Sequence, residues 1–180
     1  MRFILIHCTG GDPNETFFPW LREKLEAKGH EVIAPRFPTP EGQTLENWMQ
    51  VFQPYFAKLT PDTVLIGRSI GAPFVLRILE KSHVKVKAAF IIAGFASDLH
   101  LEEFAPLVNS FIFPKWNWEK IKNNAGRFFI YNSDDDPYVK PANGEEIAQK
   151  VGAKMRLFAK RGHFWDEEFP ELWEDVKTLI

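Results

Sequence analysis

Short apolar runs and amphipathic stretches take turns along the whole chain. "RFILI" at residues 2–6 is branched, aromatic and apolar throughout, and "TGGDPN" ends it with turn residues. The following "FPWLREKLEAKG" brings Trp20, Leu21 and Leu25 to one helical face and stops at Gly29. "HEVIAP" predicts a second strand, closed by the proline-rich "PRFPTPEG". "TLENWMQVFQPYFAKL" repeats apolar residues at helical spacing: Leu45, Trp48, Met49, Phe52, Tyr55 and Phe56. Pro54 is expected to bend that helix. "TVLIG" is a third strand and "APFVLRILEK" a helix. "VKAAFIIAG" is a fourth strand. From Phe95 to Gly126 the pattern is irregular and holds one expected helix, "NWEKIKNN". The strand "RFFIYN", the helix "ANGEEIAQKV", the strand "KMRLFA" and the helix "EFPELWEDVKTLI" complete the alternation.

Six nearly continuous apolar strands, each separated from the next by helix, imply a sheet buried on both faces. The expected fold class is α/β, one six-stranded parallel sheet with helices on both faces and right-handed crossovers. No repeat, low-complexity segment or linker divides the chain, so residues 1–180 are expected to form a single domain. In such sheets the working loops lie beyond the carboxyl ends of the strands. That directs attention to the segments after Ile6, Ile66, Ala93, Asn132 and Phe158.

Composition narrows the function classes. Apolar residues make up 45% and charged residues 26%, enough apolar side chain for a full core. The net charge of −2, with no lysine or arginine stripe, argues against nucleic acid as a partner. Cys8 is the only cysteine, so no disulfide within the chain and no cysteine-based metal site is expected. "MRFILIH" is too short for a signal-peptide core and no segment approaches a membrane span, so a cytoplasmic protein without membrane insertion is expected. No cofactor motif stands out: "HCTGGDP" follows the first strand where a dinucleotide site would carry G-x-G-x-x-G.

The chemistry concentrates on "VLIGRSIGAPF". Gly67-Arg68-Ser69-Ile70-Gly71 matches G-x-S-x-G, directly after a strand and before a helix, the context of a nucleophile elbow. The plain alternative is a glycine-assisted strand-to-helix bend that happens to contain a serine. Neutral serine is a weak nucleophile and needs a base within reach. Of five histidines, His30 and His83 belong at the opposite end of the sheet, whereas His7, His100 and His163 follow strand ends on the elbow's side. His163, in "AKRGHFW" past the last strand, best fits the order serine, acid, histidine. The acid that orients the imidazole comes from "YNSDDDPYV", where Asp136 stands before Pro137 at the loop's outer end beside Asp134 and Asp135. Asp98 competes. Oxyanion donors are expected at the backbone N–H of Ile70 and, from "HCTGG", of Thr9, with Gly10 as the fallback.

With these residues in view, the chain resembles the small α/β-hydrolases, the family that includes retinoblastoma-binding protein nine and YdeN-like serine hydrolases. The resemblance spans almost the whole chain, through "IHCTGG", "FFPWLREKLEAKG", "LENWMQ", "IGRSIGA", "PKWNWEKIKNN", "YNSDDDPYV" and "RGHFWDEEFPELW". It implies a triad of Ser69, Asp136 and His163, a compact fold without a large cap, and the sheet order 2-1-3-4-5-6. Two departures stand out. His7 is followed by Cys8 where many relatives have glycine, and Arg68 precedes the serine where relatives often have histidine. Arg68 is expected either to favour an anionic substrate group or to tie down neighbouring loops. Trp116, Trp118 and Phe164 are expected around a shallow pocket for a small apolar ester, thioester or amide-like substrate. The implied activity is that of a carboxylesterase-like serine hydrolase without cofactor. An acyltransferase using the same triad and a non-catalytic binding protein on the same fold are the alternatives.

Overall fold

A computed structural model describes residues 1–180. The strands are β1 (Arg2–Ile6), β2 (Glu31–Ile33), β3 (Thr63–Arg68), β4 (Val86–Ile92), β5 (Ala125–Ser133) and β6 (Met155–Phe158). They form one parallel sheet in the order β2-β1-β3-β4-β5-β6. The helices are α1 (Phe18–Glu26), α2 (Leu45–Phe56), α3 (Gly71–Lys81), α4 (Ala105–Ile112), α5 (Trp118–Asn123), α6 (Pro141–Val151) and α7 (Pro170–Lys177).

The period of two within each strand splits the core into two apolar layers. Phe3, Leu5, Val64, Ile66, Phe90 and Ile92 point to the side covered by α1 and α7. Ile4, Ile6, Leu65, Ala89 and Ile91 point to the other, against α2, α3, α5 and α6. β3 is buried along its full length, which is why its sequence shows no polar alternation. On the second face Trp48 of α2 stacks on Phe37 and meets Phe74 and Phe111 edge-on, joining α2, α3 and α4.

The structure departs from the sequence reading in the connection from Phe95 to Gly126. It contains α4 as well as α5. Val108, Phe111 and Ile112 recur at helical spacing, and Pro106 sits in the first turn, where its missing N–H costs nothing. Eight residues is too short a run for the periodicity to stand out from the surrounding aromatics. α2 runs on through Pro54 to Phe56, so the proline falls in the last turn.

Two contacts fix the end of the sheet where the loops gather. A Cβ on Gly71 would lie 2.3 Å from the Ile6 carbonyl oxygen and 2.8 Å from that of His7, so the start of α3 presses directly on the end of β1. His7 is buried there. Its Nε2 accepts from the Phe37 N–H at 2.9 Å, which leaves the proton on Nδ1, 2.9 Å from the Cys8 carbonyl oxygen. Burial is the main cause that holds His7 below the ordinary histidine value, and Arg36 adds to it; the Cys8 carbonyl, Asp12 and Glu15 pull the other way.

Gly71→Ala is expected to destabilise the fold by about 3 kcal/mol, because the clash is with backbone that no rotamer change relieves; urea unfolding measures it. His7 generates a pH dependence. A base with a lowered folded pKa contributes fully above its unfolded value of 6.5 and loses that contribution as pH falls through the folded value. Unfolding free energy is therefore expected to decline below pH 6.5. His30, lowered first by desolvation and then by the N-terminal ammonium, has the same sign. His7→Gln keeps an acceptor toward Phe37 without a titrating ring, so its stability should fall less steeply over that interval than the wild type's, in parallel denaturation series.

Candidate active site

Ser69 stands between β3 and α3 with φ +55°, a left-handed conformation that costs a non-glycine residue about 1–3 kcal/mol. The bend is held from both sides: the Ser69 N–H donates to Ile92 O at 2.9 Å, and the Ala72 N–H donates to Ser69 O at 2.9 Å. A Cβ on Gly67 would fall 2.2 Å from the Gly71 carbonyl oxygen, so both flanking glycines are required by close approach.

The nearby backbone donors differ in what they bind. The Gly10 N–H is taken by Thr39 Oγ1 at 2.6 Å and the Gly11 N–H by Cys8 O at 3.1 Å. The N–H groups of Thr9 and Ile70 donate to no acceptor in the chain. Ile70 is fully buried, and a buried amide left unpaired is rare in a folded protein. Buried Gln43 steadies the Thr9 loop. Its Nε2 donates to Thr9 Oγ1 and to the Leu107 carbonyl of α4, both at 2.9 Å, and its Oε1 accepts from Thr39.

The three consecutive aspartates have separate partners. Asp134 accepts from the Lys160 N–H at 2.9 Å, Ser133 Oγ from the Arg161 N–H at 2.9 Å, and Asp135 from the Gly162 N–H at 2.8 Å. The Ser133 hydroxyl, and after it the Gly162 N–H, hold the Asp135 carboxyl below the usual carboxylate range. Asp136 completes the series through a side chain: its Oδ2 lies 2.8 Å from His163 Nδ1. Its Oδ1 accepts from the Tyr138 and Val139 N–H groups at 2.9 and 3.0 Å. The carboxylate is thus fully buried and bonded at both oxygens.

Arg68 spans the loops around the serine. Its Nε and Nη2 donate to the His163 carbonyl at 3.0 and 2.8 Å, and its Nη1 lies 2.8 Å from Cys8 Sγ. The side chain is buried and has no carboxylate partner. Of the two roles expected for Arg68, the bonds made are those of loop-tying.

Ser69, Arg68, Thr9, Cys8 and His163 open onto one cleft of about 170 Å³. Its apolar lining comes from Phe95, Leu99 and Leu101, from Phe104 and Val108 at α4, and from Tyr138, Val139 and Trp165. The Ser69 hydroxyl shares this cleft with His163 without a hydrogen bond to its ring. Trp116, Trp118 and Phe164, expected around the pocket, do not line it. The Trp116 indole N–H donates to Ala96 O at 2.8 Å, and its ring covers the buried Arg77 guanidinium at 3.4 Å, so it locks the α4–α5 connection onto α3. Trp118 packs beside Trp116. Phe164 has φ +55°, which turns its ring inward to stack on Phe169, while the next residue, Trp165, faces outward. Among the lining residues missed from the sequence, Val108 lies in α4 and Phe104 stands at its N-cap. Tyr138 was signalled only by its place two residues after Asp136.

The rival residues lie elsewhere. Asp98 caps its own turn by accepting from the His100 N–H at 2.8 Å, and His100 is exposed. His7 serves the β1 end as described. No group of three or more histidine, cysteine, aspartate or glutamate side chains is placed to hold a metal ion. No helix is long and apolar enough to cross a membrane.

Serine hydrolase RBBP9 of Rattus norvegicus is 31% identical over 180 residues, covering 98% of this chain and 94% of the relative. The YdeN hydrolase of Bacillus subtilis (strain 168) is 28% identical over 166 residues, covering 91% and 86%. The crystal structure of the B. subtilis ydeN product superposes with a TM-score of 0.91 at 24% identity, covering 99% of this chain and 97% of that one. Est1E from Butyrivibrio proteoclasticus with ferulic acid bound has the same fold, with a TM-score of 0.76 at 16% identity, covering 98% and 86%. The serine hydrolase family model matches residues 3–180, and the chain belongs to the serine hydrolase family.

Proposed function

We propose that this hydrolase cleaves small carboxylic esters, with thioesters and amide-like compounds as related substrates, through an acyl-enzyme on Ser69. The observation that carries the reading is the buried Asp136–His163 pair opening onto the same cleft as the strained Ser69. Asp136 Oδ2 accepts a hydrogen bond from the Nδ1–H of His163 and so keeps that proton on Nδ1, which leaves Nε2 as the base facing the reacting atoms. Ser69 Oγ attacks the carbonyl carbon and its proton passes to Nε2. The Ser–His hydrogen bond is one that tightens when substrate fills the cleft.

As the tetrahedral intermediate forms, its oxygen takes up negative charge. The unpaired N–H groups of Ile70 and Thr9 supply the donors, and each such donor is worth about 2.7–4 kcal/mol in the transition state. The protonated imidazole then gives its proton to the departing oxygen. Water, activated by the same ring, releases the acid from Ser69. Arg68 serves as a positioning residue, because its two bonds to the His163 carbonyl hold the base at the height of the serine.

Cleft size limits the acyl group. A cavity of about 150 Å³ holds a benzene-sized molecule, so a cleft of about 170 Å³ suits a short or single-ring acyl group.

A fluorophosphonate probe is expected to label the wild type and to leave Ser69→Ala unlabelled; equal labelling of both would overturn the reading. Asp136→Asn should lower kcat on a short ester by on the order of 10⁴-fold, because the imidazole loses its tautomer control. Arg68→Met should lower kcat on the order of 10²-fold with little change in KM, as expected for a base displaced by about 1 Å. Steady-state kinetics separates the two, and Arg68→Lys, with one donor in place of a fork, should lie between wild type and Arg68→Met. In a series of ethyl esters, kcat/KM should peak at short acyl chains; a maximum at twelve carbons or more would reject the size limit.

A further inference from the structure

Two of the five large apolar side chains exposed on this protein stand together beside the proposed base: Trp165, 53% exposed, and Tyr138, 37% exposed. They are the rings packed against the His163 imidazole. Tyr138 meets it edge-on at 5.2 Å, and Trp165 lies tilted to it at 5.6 Å. The two rings are perpendicular to each other, with centroids 6.0 Å apart, and form an open corner. On its inner side Tyr138 touches Phe104, the residue before α4, whereas Trp165 has only Tyr138 and His163 as ring neighbours and marks the outer edge of the cleft.

An exposed indole beside a histidine asks for an occupant, and the chemistry says which part of a substrate belongs there. His163 must hand its proton to the departing oxygen. Asp136 occupies Nδ1, so only Nε2 is free to do so. The group attached to that oxygen therefore lies alongside the imidazole, while the acyl group remains on Ser69 and extends toward Phe95, Leu99 and Val108. A planar ring can stack on one wall of the Tyr138–Trp165 corner and meet the other with its edge, the two arrangements aromatic pairs favour.

We propose that Trp165 and Tyr138 form a leaving-group platform, and that the substrates are short-chain esters of arylmethyl (benzyl-type) alcohols. This rests on the triad reading of Ser69 and His163. In the acylation step the bond between the carbonyl carbon and the alcohol oxygen breaks. That oxygen keeps the bonding pair and takes the proton from Nε2, and the neutral arylmethanol leaves over Trp165. The acyl group stays on Ser69 Oγ until water releases it. No redox partner or further reactant is involved.

The test compares butyrate esters that differ only in the alcohol: ethyl, cyclohexylmethyl and benzyl. The acyl group is constant, and the alcohols are close enough in acidity that leaving-group chemistry contributes little. In the wild type, kcat/KM for benzyl butyrate is expected to exceed that for ethyl butyrate by about five- to tenfold, with cyclohexylmethyl butyrate well below benzyl. Trp165→Ala should collapse the benzyl-to-ethyl ratio toward one, and Trp165→Phe should recover part of it. Trp165 is half exposed, so its replacement does not threaten the fold; circular dichroism and fluorophosphonate labelling of the variant verify that.

A benzyl-to-ethyl ratio near one in the wild type overturns the platform, as does a ratio that survives Trp165→Ala or a cyclohexylmethyl ester as good as the benzyl one. In each of those cases Ser69-dependent turnover of ethyl butyrate leaves the triad reading standing. Absence of turnover of all three esters together with absence of labelling at Ser69 would overturn both.

Discussion

Four consecutive residues, Ser133 to Asp136, hold four others, Lys160 to His163, and the site depends on that stitching. Three of the bonds run from side-chain oxygen to backbone N–H, and the fourth from carboxylate to imidazole. β5 and β6 already lie side by side, with Ser133 registered on Phe158. One backbone bond, from the Asp134 N–H to the Phe158 carbonyl at 2.9 Å, continues the ladder past β5, and the side-chain bonds carry the pairing on from there. An isolated carboxylate–histidine contact on two free loops would have to overcome the conformational entropy of both. Here three preceding bonds have already ordered the loops, and Asp136 meets its partner as the last step of a zipper.

The same end of the sheet collects the unfavourable backbone. Ser69, Ala93, Lys160 and Phe164 all have positive φ without being glycine. Each sits just beyond a strand or in the loop that carries His163, and several are pinned by a specific bond. Ser69 N–H donates to Ile92, Ala93 N–H to Tyr131, and Lys160 N–H to Asp134. The two apolar layers beneath supply the stability against which such local strain is tolerated. Strain of this kind is maintained where a side chain must be presented at an angle ordinary backbone does not give. At Ser69 that is the hydroxyl; at Phe164 it is the reversal that sends one aromatic ring into the core and the next one out over the cleft.

Much of this was written in the sequence in terms of pattern. The sheet follows from the alternation of continuous apolar runs with amphipathic ones, since only burial on both faces allows a strand such as "TVLIG" to be apolar throughout. The family resemblance supplied the strand order. The glycines around Ser69 could be read because steric need leaves a residue-type signature; the strand count put the loops of the 2.8 Å Asp136–His163 contact at this edge, and the resemblance singled out Asp136 among three aspartates. The pocket could not be read the same way. Tryptophan serves equally as wall or as wedge, and what decided against Trp116 was Arg77, a partner 39 residues away in sequence whose buried guanidinium takes the ring as its cover. Phe164, expected at the pocket, is turned into the core with a backbone φ of +55°, and Trp165 lines the cleft in its stead; a backbone angle has no compositional trace. The work of Asp134 and Asp135 was equally invisible, because aspartates in a loop look alike until their acceptors are matched with donors.

Gln43 ties together two parts that a designer would prefer to adjust separately. Through one amide nitrogen it holds the Thr9 hydroxyl beside the serine and the Leu107 carbonyl on the helix that roofs the cleft. Any drift of α4 that enlarges the cleft pulls on the loop that follows β1. Selection for a bulkier substrate therefore acts on reaction rate in the same stroke. A lineage that broadens its diet would release this amide, and positions 43 and 9, whose side chains make the bond beside the serine, are where that history would leave its mark.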